Sequence, residues 1–366
     1  MKGNASVWTI VAFLALAPCC CCVLPIGYLY RAEQAAAPLP NTRALKPLPV
    51  VSDLIQDFPG RVLIEAAGDA IVLEEAAEGI AQTRFKVATW NHGWKKLVGV
   101  RGSYAIASWD PDKHCDLSVN TQQGSSYKIH VPNMWLRDVA LDSKSNLLLA
   151  LQGADANPSV VQVWKDRKHQ QTVPIGGFLQ SMLVSGSEAF VFTGHGAILL
   201  LKREGDRYTD PELKEDFYVF GARAVASEGG VATALRGGEL YLTTDKKQLI
   251  GTAQSSEPSR LQANGPFVAA HFVGVPFSVA GGELLVFNAK EGKLRRWRPP
   301  TELSSVAVSK TGIVVAITRR GNVYVLRASD DNLAVTDSFY AGNESVAVGG
   351  ESGCLLVNPK GYAFIK

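Results

Sequence analysis

The chain has 366 residues, of which 46% are hydrophobic and 19% charged, enough apolar material for one large core or two smaller ones. A formal net charge of +3 is too small to mark nucleic acid as the partner, and 34 glycines with 18 prolines suit many turns and few long helices. Cys19 to Cys22 are consecutive and only Cys115 and Cys354 lie elsewhere, so no CxxC pair, zinc spacing or disulfide framework can be assembled.

From Val7 to Tyr30 no residue is charged. About 20 residues rising ~1.5 Å each cross the ~30 Å hydrocarbon core of a bilayer, and Trp8, Tyr28 and Tyr30 sit where interfacial aromatics belong. Residues 1–30 are therefore expected to be a membrane anchor or signal segment. The stretch Leu16-Ala17-Pro18-Cys19 resembles a bacterial lipobox, which implies Cys19 as a lipidation site, and simple cleavage is the third alternative. A short N-terminal tail favours export, giving an extracytoplasmic body, periplasmic or extracellular. Arg31, Arg43 and Lys46 after the span weigh against that direction. Residues 31–58 are rich in Ala and Pro, a composition that favours an extended, semi-rigid spacer.

Residues 59–366 repeat. Leu303 to Phe339 gives the pattern: short β-branched runs at 305–309, 313–317, 323–326 and 334–339, cut by Gly, Asn and Asp turns. One such sheet is not stable alone, so it is expected in several copies. Taking the residue that ends the first strand as marker gives Glu65, Arg101, Asp142, Ser185, Ser227, Gln262, Ser309 and Gly349, spaced 36, 41, 43, 42, 35, 47 and 40 apart. Gly238, Gly282 and Gly321 each open a third strand. Gly282 to Lys293 resembles the repeat of pyrroloquinoline-quinone-type propellers, and Val160-Val-Gln-Val-Trp164 is similar to a strand of WD-repeat proteins. These resemblances imply an all-β fold, a single β-propeller of four-stranded blades. The last unit has three strands, so an N-terminal strand must complete it. A donor near Pro49 to Ile55 gives eight blades, the favoured count; one from Ile80 to Trp90 gives seven.

Chemistry-bearing clusters are few. Asp110, Asp112, His114 and Asp116 alternate in one loop and offer oxygen and nitrogen ligands for a metal, although an Asp-rich hairpin tip is the simpler reading. His195 lies between glycines without a nucleophile motif, and His92, His130, His169 and His271 have no zinc spacing. The glycine pairs open no helix, so no phosphate loop and no cofactor is expected. Arg295, Arg296, Trp297 and Arg298 form a basic strand, a candidate partner-binding patch or a charge-protected outer strand. The six tryptophans of the body are expected to pack between blades. The favoured function is a non-enzymatic, membrane-anchored binding or assembly scaffold with a protein partner, such as an accessory subunit of a membrane-protein complex, and in this it resembles outer-membrane assembly lipoproteins of the quinone-type propeller class. The alternative is an extracytoplasmic propeller enzyme of hydrolase, lactonase or quinone-dependent dehydrogenase type, with carboxylates or histidines at the channel mouth.

Overall fold

The computed structural model describes residues 37–48 and 54–366, apart from 59, 67–68, 78, 88–92, 101–102, 111, 124, 154–157, 217–222, 228–229, 245, 274–280 and 330–331. The segment 1–30 with Cys19 lies outside the described residues, as do Trp90 and His92. Among the described residues no helix is long and apolar enough to cross a membrane.

Antiparallel meanders follow one another along the chain. The first is β1 (Leu54–Phe58), β2 (Arg61–Ala66), β3 (Asp69–Ala76) and β4 (Gly79–Lys86). The second is β5 (Trp94–Val100), β6 (Ser103–Trp109), β7 (Cys115–Thr121) and β8 (Ser126–Val131), and the third β9 (Met134–Leu141), β10 (Leu147–Gly153), β11 (Ser159–Lys165) and β12 (Lys168–Ile175). The fourth holds β13 (Leu179–Ser185), β14 (Glu188–Thr193), β15 (Ala197–Glu204), β16 (Arg207–Tyr208) and β17 (Glu212–Asp216). Next come β18 (Arg223–Ser227), β19 (Gly230–Ala234), β20 (Glu239–Thr243) and β21 (Lys247–Thr252). The meanders β22 (Glu257–Asn264), β23 (Phe267–Val273), β24 (Glu283–Asn288), β25 (Lys293–Trp297) and β26 (Leu303–Val308), β27 (Val314–Thr318), β28 (Asn322–Ser329), β29 (Asn332–Tyr340) are joined into one eight-stranded sheet by the parallel pair Arg296 and Asn332. The chain ends on β30 (Val346–Gly349), β31 (Cys354–Asn358) and β32 (Gly361–Ile365).

The first strands neighbour one another in succession: β5, β9, β13, β18, β22, β26 and β30, with β30 returning to β1. Apolar wedges fill the space between adjacent meanders. In β10, Leu147, Leu149 and Leu151 pack toward the second meander while Leu148 and Ala150 pack toward the fourth. Both faces of a strand are thus buried, which is why many strands read as continuous apolar runs rather than strict alternation. The last wedge sets Val62, Ile64, Ile71 and Leu73 against Val348, Leu355 and Val357, closing the ring. This is an all-β, single β-propeller with four-stranded blades.

Closure differs from both expectations. Strand β4 is hydrogen-bonded to β3 as the fourth strand of the first sheet, so the donor required for the seven-blade alternative is already used. The other donor, near Pro49 to Ile55, overlaps β1, which pairs with β2. The segment that reaches the last sheet is residues 37–48, expected as spacer. Lys46 and Tyr362 exchange two backbone hydrogen bonds of 2.8 Å, Thr42 bridges Tyr340 in parallel, and Asn322 accepts from Leu39 N–H at 2.9 Å and donates to the Ala37 carbonyl at 2.8 Å. Leu45 and Leu48 pack onto the wedges on either side of the last sheet. The free edge of β32 demands a partner, and this strap is the nearest chain. Glu65 also proves a poor marker: it lies on β2, a second strand, because the first strand already ends at Phe58.

Gly282 and Gly321 stand where the backbone leaves no room for a side chain. Their φ angles are +86° and +80°, and a Cβ would come within 1.9 Å of the Phe272 carbonyl and 2.0 Å of the Gly342 carbonyl.

Candidate functional site

First-to-second and third-to-fourth turns lie on one face of the ring; second-to-third turns and the links between meanders lie on the other. On the latter face, near the channel, Trp94 opens β5, Arg137 and Asp138 lie on β9, and Phe178 immediately precedes β13. Trp94, Arg137 and Asp138 line a cavity of about 470 Å³ whose walls also include Lys95, Lys96, Trp109, Gln180 and Ser181, and Phe178 lies beside it against Arg137. Asp138 is its buried hub: one oxygen accepts from the Lys96 ammonium at 2.7 Å, the other from Met182 N–H at 2.8 Å. That single carboxylate links three consecutive meanders. Lys95 pairs with Glu65 at 2.6 Å, both almost buried, and ties the first meander to the second.

Above these paired charges the cavity rim is aromatic and cationic. Trp94 is 54% exposed and packs edge-on against buried Trp109, whose indole N–H donates to the Leu136 carbonyl at 3.1 Å. Phe178 is 46% exposed, with the Arg137 guanidinium 5.1 Å from its ring centre. Arg137 Nε is buried without a hydrogen-bond acceptor among the described residues. A buried donor without an acceptor costs about 1–3 kcal/mol, so an incoming carbonyl or carboxylate would be favoured there. Exposed Trp and Phe beside Arg is also the composition of interface anchors.

The residues singled out in the sequence are not gathered at this site. Asp110 accepts from Asp112 N–H at 3.0 Å and pairs with Lys113, which holds its carboxyl below the usual range in an exposed turn. His114 lies against Trp135 with centres 5.9 Å apart, and Asp116 pairs with His130 at 3.1 Å. Among the described residues no three metal-ligating side chains converge. The basic strand binds its own fold. Arg295 pairs with Glu291, Arg296 donates to the Thr252 carbonyl and pairs with Glu283, Trp297 packs on Tyr324 with centres 5.3 Å apart, and Arg298 reaches Gln254. His195 borders a separate cavity of about 500 Å³ with Gly176, Thr193 and Pro211. His271 is fully buried, its Nε2 2.7 Å from the Gly281 carbonyl. Cys115 and Cys354 are buried thiols, each pushed up to about 12, chiefly by burial.

Sequence reading missed Arg137 and Phe178, because each is an isolated residue in an ordinary strand or link. The Gly176-Gly177-Phe178 triplet was the available signal: an aromatic residue placed directly after two turn-forming glycines.

No family model matches the chain, and no curated protein matches it. Solved structures do. The computationally designed protein Ika8 aligns with a TM-score of 0.57 at 12% identity, covering 89% of this chain and 99% of that one. BamB from Moraxella catarrhalis aligns with 0.55 at 10%, covering 88% and 97%, and apo AztD from Citrobacter koseri with 0.54 at 12%, covering 78% and 84%. The chain is a β-propeller. At these identities the likeness is one of fold, and function rests on the residues themselves.

Proposed function

We propose that this propeller is a membrane-tethered binding scaffold whose Trp94, Arg137 and Phe178 face docks a protein partner belonging to a membrane complex. The observation that carries the reading is the exposed aromatic pair flanking Arg137, whose buried Nε lacks an acceptor among the described residues. The strap supports the direction. Its contacts with Asn322, Tyr340 and Tyr362 lie at the same end of the strands as the docking face, which is compatible with a tether that holds this face toward the membrane. The fold likeness to BamB is compatible with a scaffold role.

The ring counts eight blades on this reading, supported by the succession of first strands from β1 to β30 and the wedge that returns to β1. An experimental density map with another number of blades would remove that count.

The test is purification of the full chain in mild detergent beside two variants. A partner retained by the wild type and by Arg167→Gln on the opposite face, but lost from Trp94→Ala/Arg137→Ala/Phe178→Ala, is the expected result. A body that is monomeric throughout, or a partner held equally by the triple variant, overturns the reading.

A further inference from the structure

The opposite face carries a second built cavity, about 390 Å³, between the second and third meanders. That volume is within the range of small-molecule sites, far below what a folded partner fills. Its aromatic walls are Tyr104 and Tyr127 from the second meander and Trp164 from the third. Two guanidinium groups stand at its rim. Arg61 lies 5.3 Å from the Tyr104 ring centre and donates to the Gly99 carbonyl at 2.6 Å. Arg167 lies 5.1 Å from the Tyr127 ring centre, reaching across from the neighbouring meander.

Neither arginine is paired with a carboxylate among the described residues. The nearby buried carboxylate, Asp142, is already committed: it accepts from Arg203 at 2.6 Å, Tyr208 OH at 3.0 Å and the Asn146 amide at 2.9 Å. Stacking on a ring fixes a guanidinium plane while leaving its edge donors free, the geometry that grips a carboxylate through two parallel hydrogen bonds. Asp166 and Arg167 have left-handed backbones with φ of +49° and +65°, as the two-residue hairpin turn between the paired Lys165 and Lys168 requires, and that turn projects Arg167 from the end of the third meander.

We infer that this cleft binds a small aromatic carboxylate, its ring between Tyr104, Tyr127 and Trp164 and its acidic group on Arg61 and Arg167. The same chemistry is offered by a free aromatic acid and by a peptide ending in an aromatic residue.

The full chain in detergent would be titrated calorimetrically with three probes: N-acetylphenylalanine, its uncharged amide, and a five-residue peptide ending in phenylalanine. The acid is expected to bind at least about tenfold more tightly than the amide, and Arg167→Gln to weaken the acid by about tenfold or more, the worth of one charge-assisted pair. Tighter binding of the peptide than of the acid assigns the site to peptide ends, and the reverse assigns it to free acids. Arg61→Lys keeps the charge but loses the planar fork, and should weaken the acid while its thermal midpoint stays at that of the wild type. Equal affinity for acid and amide, no binding of any probe, or unchanged binding by Arg167→Gln overturns the inference.

Discussion

His271 has a measurable signature at the scale of one residue. Burial, reinforced by the charge of Arg260, lowers its pKa from 6.5 to about 4, against the hydrogen bond to Gly281. The unfolded chain therefore binds a proton below about pH 6.5 that the folded chain refuses until about pH 4, so stability falls with pH across that window and is unaffected above it. The loss amounts to about 3 kcal/mol at its fullest. Urea midpoints measured from pH 7 to 4 should show this decline, and His271→Gln should flatten part of it. Asp142 and Arg203 form a buried pair with 0% and 8% of their side chains exposed. Asp142→Ala leaves Arg203 uncompensated and should cost about 3–5 kcal/mol in denaturant unfolding. Asp142 marks the end of a first strand in the sequence, yet its partners at Arg203 and Tyr208 lie 61 and 66 residues away. A repeat marker was legible there, whereas the reason for an acid was not, because the fold supplies it. Gly321 was legible as a turn, and Gly321→Ala should cost about 1–3 kcal/mol by forcing a Cβ toward the Gly342 carbonyl.

Among the elements, the strap at 37–48 is the one that sequence could not disclose. Its prolines point to extended backbone, and extended backbone suits a free spacer and an edge segment alike. Lys46 lies 316 residues from Tyr362, and no local pattern announces a pairing across that span. The strands themselves were readable because each is brief, β-branched and bounded by turn residues: Leu303 to Phe339 becomes β26 to β29 almost as written. Blade closure by the strap predicts where removing it is felt. With residues 37–48 deleted, amide exchange should rise first in β32, where an edge is uncovered, while β9 to β12 remain protected. Uniform exchange across all sheets would contradict closure by this segment.

Taken as a whole, the molecule has two differently equipped faces and an uneven ring. Wedges elsewhere are broad, whereas the one between the fourth and fifth meanders contains buried Phe192, Ile198 and Val231 with partly buried Leu183, Phe190 and Ala224 among the described residues. The ring should open first at that junction, seen as faster exchange in β18 and β19 than in β23 and β24. The strap side presents Trp94, Arg137 and Phe178, and the far side holds the aromatic cleft with Arg61 and Arg167. Composition could not separate these faces, since arginine and tryptophan serve packing at Arg295 and Trp109 as readily as recognition. The proposal that the strap side receives a membrane partner is tested most directly by photo-crosslinking in intact membranes, with the reactive residue placed at Phe178 or, on the far side, at Gln123. Docking on the strap side predicts one discrete adduct with a membrane-fraction protein from position 178, and no such adduct from position 123. No adduct at 178, or the same adduct from both positions, would contradict it.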